Sequence, residues 1–592
     1  MNHTVPANFA HGDFLGHPKG VYICFFTEMW ERFSFYGMKT LLLLYLTKYH
    51  LFGDTGGLNL LGAYGGLVYC LPVVGGLLAD RYLGTRKAVI FGGVLLCLGH
   101  FGMAYEGTAA QRVGDVVVRD DVALSVFYSS LALIIMGVGF LKPNISVIVG
   151  KLYPEGDPRR DSGFSLFYAG INLGALFASL VCGVLGEVYG WKYGFGAAGL
   201  GMLAGLGMFL WGQKFLDGHA EPPEPALLRE RVFGIDREIV IYLGALLGLA
   251  PIAGLMWATG NNAFSLDIGF DLTLAQMLML LVLGIVMVWF VVFLVRSCNR
   301  VERQQMITLM VLILMALVFF TLYEQSYGSW VVFTDRMLTK DFFPSLIVEG
   351  GLPLWYFVVP VLLMPVAFIV ANALQVRRPG SRLPMLVFVS SAVVALAMVL
   401  GMAVLQRQTG GSLTFLGALF ILLLAPLFGG LWGWLEPLGL NPGKPLKSSI
   451  GLLFGALAFV PLAIAAQQSG ASGTLSSVWW LVLAYLVIEI GEMCLSPVGL
   501  SAVTQLSVNR VVSLMMGTWF LATAFSEMLA AKLGTLASIE DAGELAQHSA
   551  GWIDAAAKYE GLFWTLTWAG LGCALVALLA VPLLNRGMHG VK

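Results

Sequence analysis

Charge is what this sequence has least of. Only 12% of its 592 residues are Asp, Glu, Lys or Arg, while 58% are hydrophobic; soluble proteins carry about 25% charged residues. That shortage excludes a string of soluble domains and points to one polytopic membrane protein. A net charge of −1 gives no basis for a nucleic-acid partner. Cysteine is sparse too. The seven (Cys24, Cys70, Cys97, Cys182, Cys298, Cys494 and Cys573) fall mostly in apolar runs, without CxxC spacing, which argues against a disulfide framework or a cysteine metal site. No GxxxxGK[ST] loop occurs: GLNPGKP at 439–445 has the wrong spacing and Pro445 where Ser or Thr is required, against an ATP-driven pump. Neither an HExxH helix nor a nucleophile–base set is found, so neither an enzyme nor a cofactor is expected. The polar first 20 residues lack a basic region followed by a short apolar core, so no cleaved signal peptide is expected.

What is present is a long series of apolar runs. A helix needs about 20 largely apolar residues to cross roughly 30 Å of hydrocarbon. Sixteen segments qualify: 21–48, 58–79, 86–105, 122–149, 161–188, 192–215, 238–259, 273–297, 305–332, 353–375, 384–406, 414–435, 448–468, 478–500, 509–536 and 560–585. With the N-terminus inside, the inner loops collect Arg81, Arg86, Lys87, Lys151, Arg159, Arg160, Arg229, Arg231, Arg237, Arg300, Arg303, Arg377, Arg378 and Arg382. The outer loops hold scattered basic residues such as Arg112, Arg119, Arg336 and Lys340. This alternation is the positive-inside pattern and puts both termini in the cytoplasm. The polar stretch 217–238 reads as a connector between two halves. Glycine runs such as GGVLLCLG (92–99) read as helix-packing glycines, not as a dinucleotide site, since no strand precedes them.

The first span, TEMWERFSFYGMKTLLLLYL (27–46), breaks the rule of sparse charge. At about 100° per residue, Glu28, Glu31, Arg32, Phe35, Tyr36 and Lys39 occupy an arc of about 140°, and Glu28 lies about 16 Å along the axis from Lys39. A charge at mid-bilayer costs about 2.5–3.5 kcal/mol even on the lenient scale, so this stripe must face protein or a water-filled cavity. A structural ion pair of Glu28 or Glu31 with Arg32 would account for two charges. It does not account for Lys39, or for Lys142, Glu324, Glu489, Glu492 and Glu527 in other spans. Several buried ionisable groups on separate helices favour a transport pathway over a scaffold. Helix direction puts Lys39 and Glu324 in the outer half, and Lys142 and Glu492 in the inner half. Pairing Lys39 with Glu324 and Lys142 with Glu492 would make two gates around one cavity.

These residues resemble the proton-dependent oligopeptide transporter (POT/PTR) family of the major facilitator superfamily. The signature ExxERFxYYG appears as Glu28, Glu31, Arg32, Phe33, Phe35, Tyr36 and Gly37, and FYxxINxG as Phe167, Tyr168, Ile171, Asn172 and Gly174. GFLKPN (139–144), GEMCLSPVGLS (491–501), MMGTWFL (515–521) and GGLLADRYLGTRK (75–87) follow the same family's order. The resemblance implies an all-α major facilitator fold: an N-terminal six-helix bundle (1–216), a connector with two extra helices (217–304), and a C-terminal six-helix bundle (305–592), whose inserted pair at about 353–406 departs from the family pattern. It also implies a proton-coupled symporter importing di- and tripeptides by alternating access. Its setting would be the lipid of a bacterial inner membrane, where it would act as a monomer driven by the proton gradient.

Residue by residue, the resemblance implies that Glu28, Glu31 and Arg32 couple proton movement to transport. Arg32 and Lys142 would hold a peptide carboxylate, and Glu492 with Asn172 its amino terminus. Tyr36, Tyr69, Trp519 and Phe520 would line side-chain pockets, and Lys39–Glu324 and Lys142–Glu492 would be the gating pairs. There are departures. Phe35 stands where many relatives have a second tyrosine, Lys39 where they have arginine, and Gly417-Ala418 where they have Asn-Pro. Ser526-Glu527 replaces a common Gly-Asn, adding a charge the family pattern does not assign. A same-fold symporter for nitrate, an amino acid or a peptide-like drug is the alternative.

Overall fold

A computed structural model describes residues 13–114, 116–154, 157–267, 271–377, 381–539 and 547–591. Fourteen segments are long and apolar enough to cross a membrane. One of them, Asp54–Met103, holds two helices, and the first helix is kept out of the fourteen by its charges. The sixteen expected spans are therefore all helical. We label them α1 (Lys19–Leu44), α2 (Asp54–Leu78), α3 (Gly84–Met103), α4 (Asp121–Lys151), α5 (Arg160–Val184), α6 (Trp191–Gly212), α7 (Arg237–Gly260) and α8 (Leu274–Ser297). The second half comprises α9 (Arg300–Tyr323), α10 (Leu354–Arg377), α11 (Leu383–Leu405), α12 (Phe415–Leu435), α13 (Lys444–Ser472), α14 (Trp479–Leu506), α15 (Val512–Gly534) and α16 (Ala550–Gly587). Strand structure among the described residues is limited to four short two-stranded ribbons in the loops.

Local chemistry sets the ends. Asn299 and Glu302 form a reciprocal capping box at the start of α9, and Thr273 and Gln276 form another at α8. Asp120 accepts from the backbone N–H groups of Val122 and Ala123 to start α4. The expected continuous span 305–332 is corrected: α9 stops at Tyr323, a 3₁₀ turn covers Glu324–Tyr327, and a short helix Ser329–Met337 follows. Glu324 thus sits at a break, where backbone groups are not all used within the helix. The last helix starts about ten residues earlier than expected, at Ala550, behind a Ser549 cap.

Small residues decide how closely the helices approach. A Cβ at Gly75 of α2 would lie 2.0 Å from the Gly139 carbonyl oxygen of α4, and one at Gly92 would lie 2.6 Å from that of Gly137. Backbone meets backbone there, the use that glycine serves between membrane helices. α1 runs through the interior. Every residue of it except Tyr36 is buried, so Leu42 and Leu43 face protein and not lipid.

The two halves meet where α2 packs on α15 and α5 packs on α12. Each extra pair lies beside one of these seams. α7 packs on α2 and α4, while Met279 of α8 joins a cluster with Leu521 and Phe525 of α15. The inserted pair α10–α11, although it belongs to the second half in sequence, seats on the first. Phe368 stacks on Tyr22 with ring centroids 5.3 Å apart, and Phe14 meets both Phe368 and Phe388 edge-on.

On the inner face the connector braces the loop between α2 and α3. Arg86 bonds Gln213 and Glu221, and Lys87 pairs with Glu238. Asp80 and Arg81 are exposed and form no ion pair among the described residues, so the bracing is done by Arg86 and Lys87.

Candidate functional site

The charged stripe of α1 is an ion network. A four-residue spacing brings Glu28 to the Arg32 guanidinium, and the adjacent Glu31 reaches the same group: Arg32 Nε lies 2.5 Å from Glu31 Oε2 and 3.1 Å from Glu28 Oε1. The network is not closed on itself. Arg32 Nη2, Glu28 Oε2 and Glu31 Oε1 are buried without a hydrogen-bond partner among the described residues. Buried donors and acceptors are nearly always paired, so these three are open to a ligand or to water.

Lys142 comes from α4, one residue before Pro143. It is half-buried and forms no ion pair among the described residues. Its Nζ lies 4.0 Å from the Tyr69 ring centroid and 6.0 Å from that of Phe35. The expected Lys142–Glu492 contact is not made in this structure. Tyr36, also half-buried, stacks on Tyr327 with centroids 5.9 Å apart.

Facing these cations is an anionic pole in the other half. Glu489 and Glu492, three residues apart on α14, present their carboxyls to each other. The Tyr323 hydroxyl donates to Glu489 Oε1 at 3.1 Å, and Ser496 donates to Glu492 Oε1 at 3.4 Å. The second oxygen of each is buried without a partner, and no cation pairs with either among the described residues. Gly417 makes the room: a Cβ there would lie 2.9 Å from Glu489 Oε1. The missing Asn-Pro pair is thus matched by the Glu489 carboxylate from α14, a charge noted in the sequence but assigned no role there. Asn172 donates to the Tyr168 carbonyl of its own helix at 3.1 Å and makes no bond to Glu492. Tyr168, 40% exposed, lies within electrostatic reach of Glu492 and Tyr36. Phe520 is half-buried. Trp519 is closely packed: a Cβ at Gly499 would lie 1.9 Å from its ring, and Phe320 meets it edge-on.

The outer side is tied shut. Lys39 Nζ lies 2.8 Å from Glu324 Oε2, the expected pair, and 2.6 Å from Glu527 Oε1, which was not expected. Further out, Arg336 makes a bidentate pair with Asp54 at 2.7 and 2.8 Å, and Lys48 bridges Asp335 at 2.7 Å and Glu187 at 3.3 Å. Thr40, Ser179 and Thr414 share hydrogen bonds across the α5–α12 seam. The sequence reading missed Lys48, Asp54, Glu187, Asp335 and Arg336. Each lies at a span end, where charge is ordinary and carries no signal of its partner.

The comparisons with known proteins agree with this architecture. A family profile described as POT family matches residues 86–348 and 391–549. The unmatched stretch between those two ranges falls on α10 and the start of α11, the inserted pair. The chain is 31% identical to the uncharacterized transporter YclF of Bacillus subtilis (strain 168), covering 90% of this chain and 91% of that protein. It is 30% identical to the peptide transporter YePEPT of Yersinia enterocolitica, covering 88% of each. A crystal structure of a POT peptide transporter in complex with sulfate superposes with a TM-score of 0.71 at 30% identity, over 98% of each chain. Another crystal structure, of a mutant POT peptide transporter in complex with alafosfalin, gives the same TM-score at the same identity. The chain belongs to the POT family, and it is an integral membrane transporter.

Proposed function

We propose that this protein imports di- and tripeptides by proton-coupled symport, alternating between outward- and inward-open forms. The observation that carries the reading is a pair of opposite, unfilled poles. Arg32 and Lys142 project from the first half, and Glu489 and Glu492 from the second, with polar atoms on both sides left without partners among the described residues. A peptide zwitterion brings one carboxylate and one ammonium, and each loses several kcal/mol of hydration unless a partner of opposite sign replaces it. The Arg32 guanidinium offers a planar fork to the carboxylate, and Lys142 a point charge. Glu492, with Glu489 beside it and Asn172 on α5, receives the amino terminus. Tyr36, Tyr69 and Phe520 offer aromatic surface that accepts varied side chains, and Trp519 is packed against Gly499 and Phe320 beside them.

Coupling runs through carboxyls. Burial favours the neutral acid and a nearby cation favours the carboxylate, so a gate that separates a cation from Glu28, Glu31 or Glu324 also changes its hold on a proton. Lys39–Glu324 closes the outside in this reading, and Lys142–Glu492 closes the inside when the outside opens. No cofactor is required, because the proton gradient supplies the free energy. The setting is a bacterial inner membrane and the working unit is the monomer. Nitrate, a lone anion, would leave both α14 carboxyls unpaired, which disfavours it.

The test is uptake of a labelled dipeptide into proteoliposomes, with and without an imposed pH gradient, competed with tripeptides and single amino acids. Accumulation that needs the gradient, with competition by tripeptides alone, supports the reading. Gradient-independent uptake, or equal competition by amino acids, overturns it.

A further inference from the structure

Lys39 has two partners. It donates to Glu324 and to Glu527, and all three side chains are buried. Two carboxylates around one ammonium leave an excess negative charge out of water, a condition that proteins relieve by protonating a group. Space for the second carboxylate is built into α2: a Cβ at Gly65 would lie 2.6 Å from Glu527 Oε2. A separate feature adjoins it. The hydroxyl of Tyr64 is buried with no hydrogen-bond partner among the described residues, and it lies within electrostatic reach of both the Glu31–Arg32 pair and the Lys39–Glu527 pair. The other groups facing the triad include Tyr36 from α1, Tyr69 from α2, Lys142 from α4, Tyr327 from the turn after α9 and a further acid, Glu492 from α14, within electrostatic reach of Glu324. Of these only Lys142 is cationic, and it makes no contact with either carboxyl.

We propose that Glu527 is a proton-carrying residue of the transport cycle, sharing one proton with Glu324 against Lys39 when the outer face closes. This rests on the proton-coupled reading above. A hydronium from the outer solution gives its proton to one carboxylate oxygen, forming an O–H bond and leaving water. The triad is then neutral and can be sealed. On the inward-open side that O–H bond breaks. With water entering between the groups in that form, the Tyr64 oxygen accepts the proton through a bridging water while its own hydroxyl proton passes through another to Glu31, which releases it to inner water. The triad left behind carries excess negative charge, which favours its separation and the return of the outer face to the open form.

Glu527→Gln keeps the shape and an acceptor for Lys39 while removing the titrating group. Counterflow exchange, which needs no net proton movement, measures the functional protein in each vesicle preparation. The expected result is that dipeptide accumulation per unit of exchange, under a one-unit pH gradient, falls about tenfold, since one proton per pH unit is a factor of ten. Tyr64→Phe is expected to lower it in the same direction. Accumulation and pH profile equal to wild type in Glu527→Gln overturn the proposal. If that variant shows no exchange, Glu527→Asp decides: a shifted pH profile supports the assignment and the wild-type profile overturns it. A wild type that exchanges dipeptide without accumulating it under the gradient removes the proton-coupled reading itself.

Discussion

One of the outer ties between the halves pairs Asp54 with Arg336. Asp54 opens α2, and Arg336 lies in the short helix after α9; both N–H···O bonds of the pair are below 3 Å. Asp54 Oδ2 also accepts from the Ile539 backbone N–H at 2.8 Å, and Arg336 donates to the Tyr559 hydroxyl at 3.1 Å. The Asp54 and Arg336 side chains are only 4% and 11% exposed. Solvent screening is therefore slight, and the 0–1 kcal/mol usual for exposed pairs does not apply. Asp54→Asn keeps the shape but leaves the guanidinium without its counter-charge, and breaking a buried pair in this way costs about 3–5 kcal/mol. The surviving Tyr559 contact and the residual exposure place the loss near the lower end, at about 3 kcal/mol. In the alternating-access reading, opening the outer face parts the halves at this pair, so the closed-to-open ratio drops about a hundredfold, at about 1.4 kcal/mol per factor of ten. External labelling of a cysteine at Thr414, which is buried in the seam, reads that ratio directly. Labelling of Asp54→Asn at the parent rate would refute the reasoning. So would a double mutant, Asp54→Leu with Arg336→Leu, that labels as fast as the single one, because removing both charges should restore closure.

Three other outcomes follow from the same geometry. Glu31→Gln should lower gradient-driven peptide accumulation by about tenfold per pH unit relative to exchange; unchanged accumulation would take Glu31 out of the coupling path. Gly499→Ala drives a Cβ to 1.9 Å from the Trp519 ring. Overpacking of this kind costs about 1–3 kcal/mol, so a lower melting temperature and altered tryptophan fluorescence are expected, and an unmoved melting curve would contradict the packing. On the outer surface, the backbone N–H groups of Ala123, Thr108 and Val122 hold the Asp120 carboxyl below the usual carboxylate range. A depressed folded value stabilises the cap above the unfolded value of about 3.9 and loses that support as pH falls through the folded value. Amide exchange at the start of α4 should therefore speed up only in acid, and Asp120→Ala should abolish that pH dependence.

Span number and fold class were legible from composition, because a bilayer demands about 20 apolar residues wherever a helix crosses it. The glycine runs were legible for a related reason: without a preceding strand, their use is close helix contact, as Gly92 against Gly137 shows. The stripe from Glu28 to Lys39 also stood out, since charge is expensive in that setting. Hydropathy could not see the break at Glu324, which interrupts an otherwise apolar run at a point set by partners in other helices. Nor could it tell that α1 is enclosed by protein, because lipid tails and leucine-rich neighbours are equally apolar. The partner assignments needed three dimensions. Glu527 was visible as a stray charge, but its place on Lys39 joins residues 488 positions apart. The inserted pair, read as part of the second half, rests on Phe14 and Tyr22 of the first. A sequence specifies the cost of burying each group one by one; which groups relieve that cost for one another is settled only when helices from both halves pack.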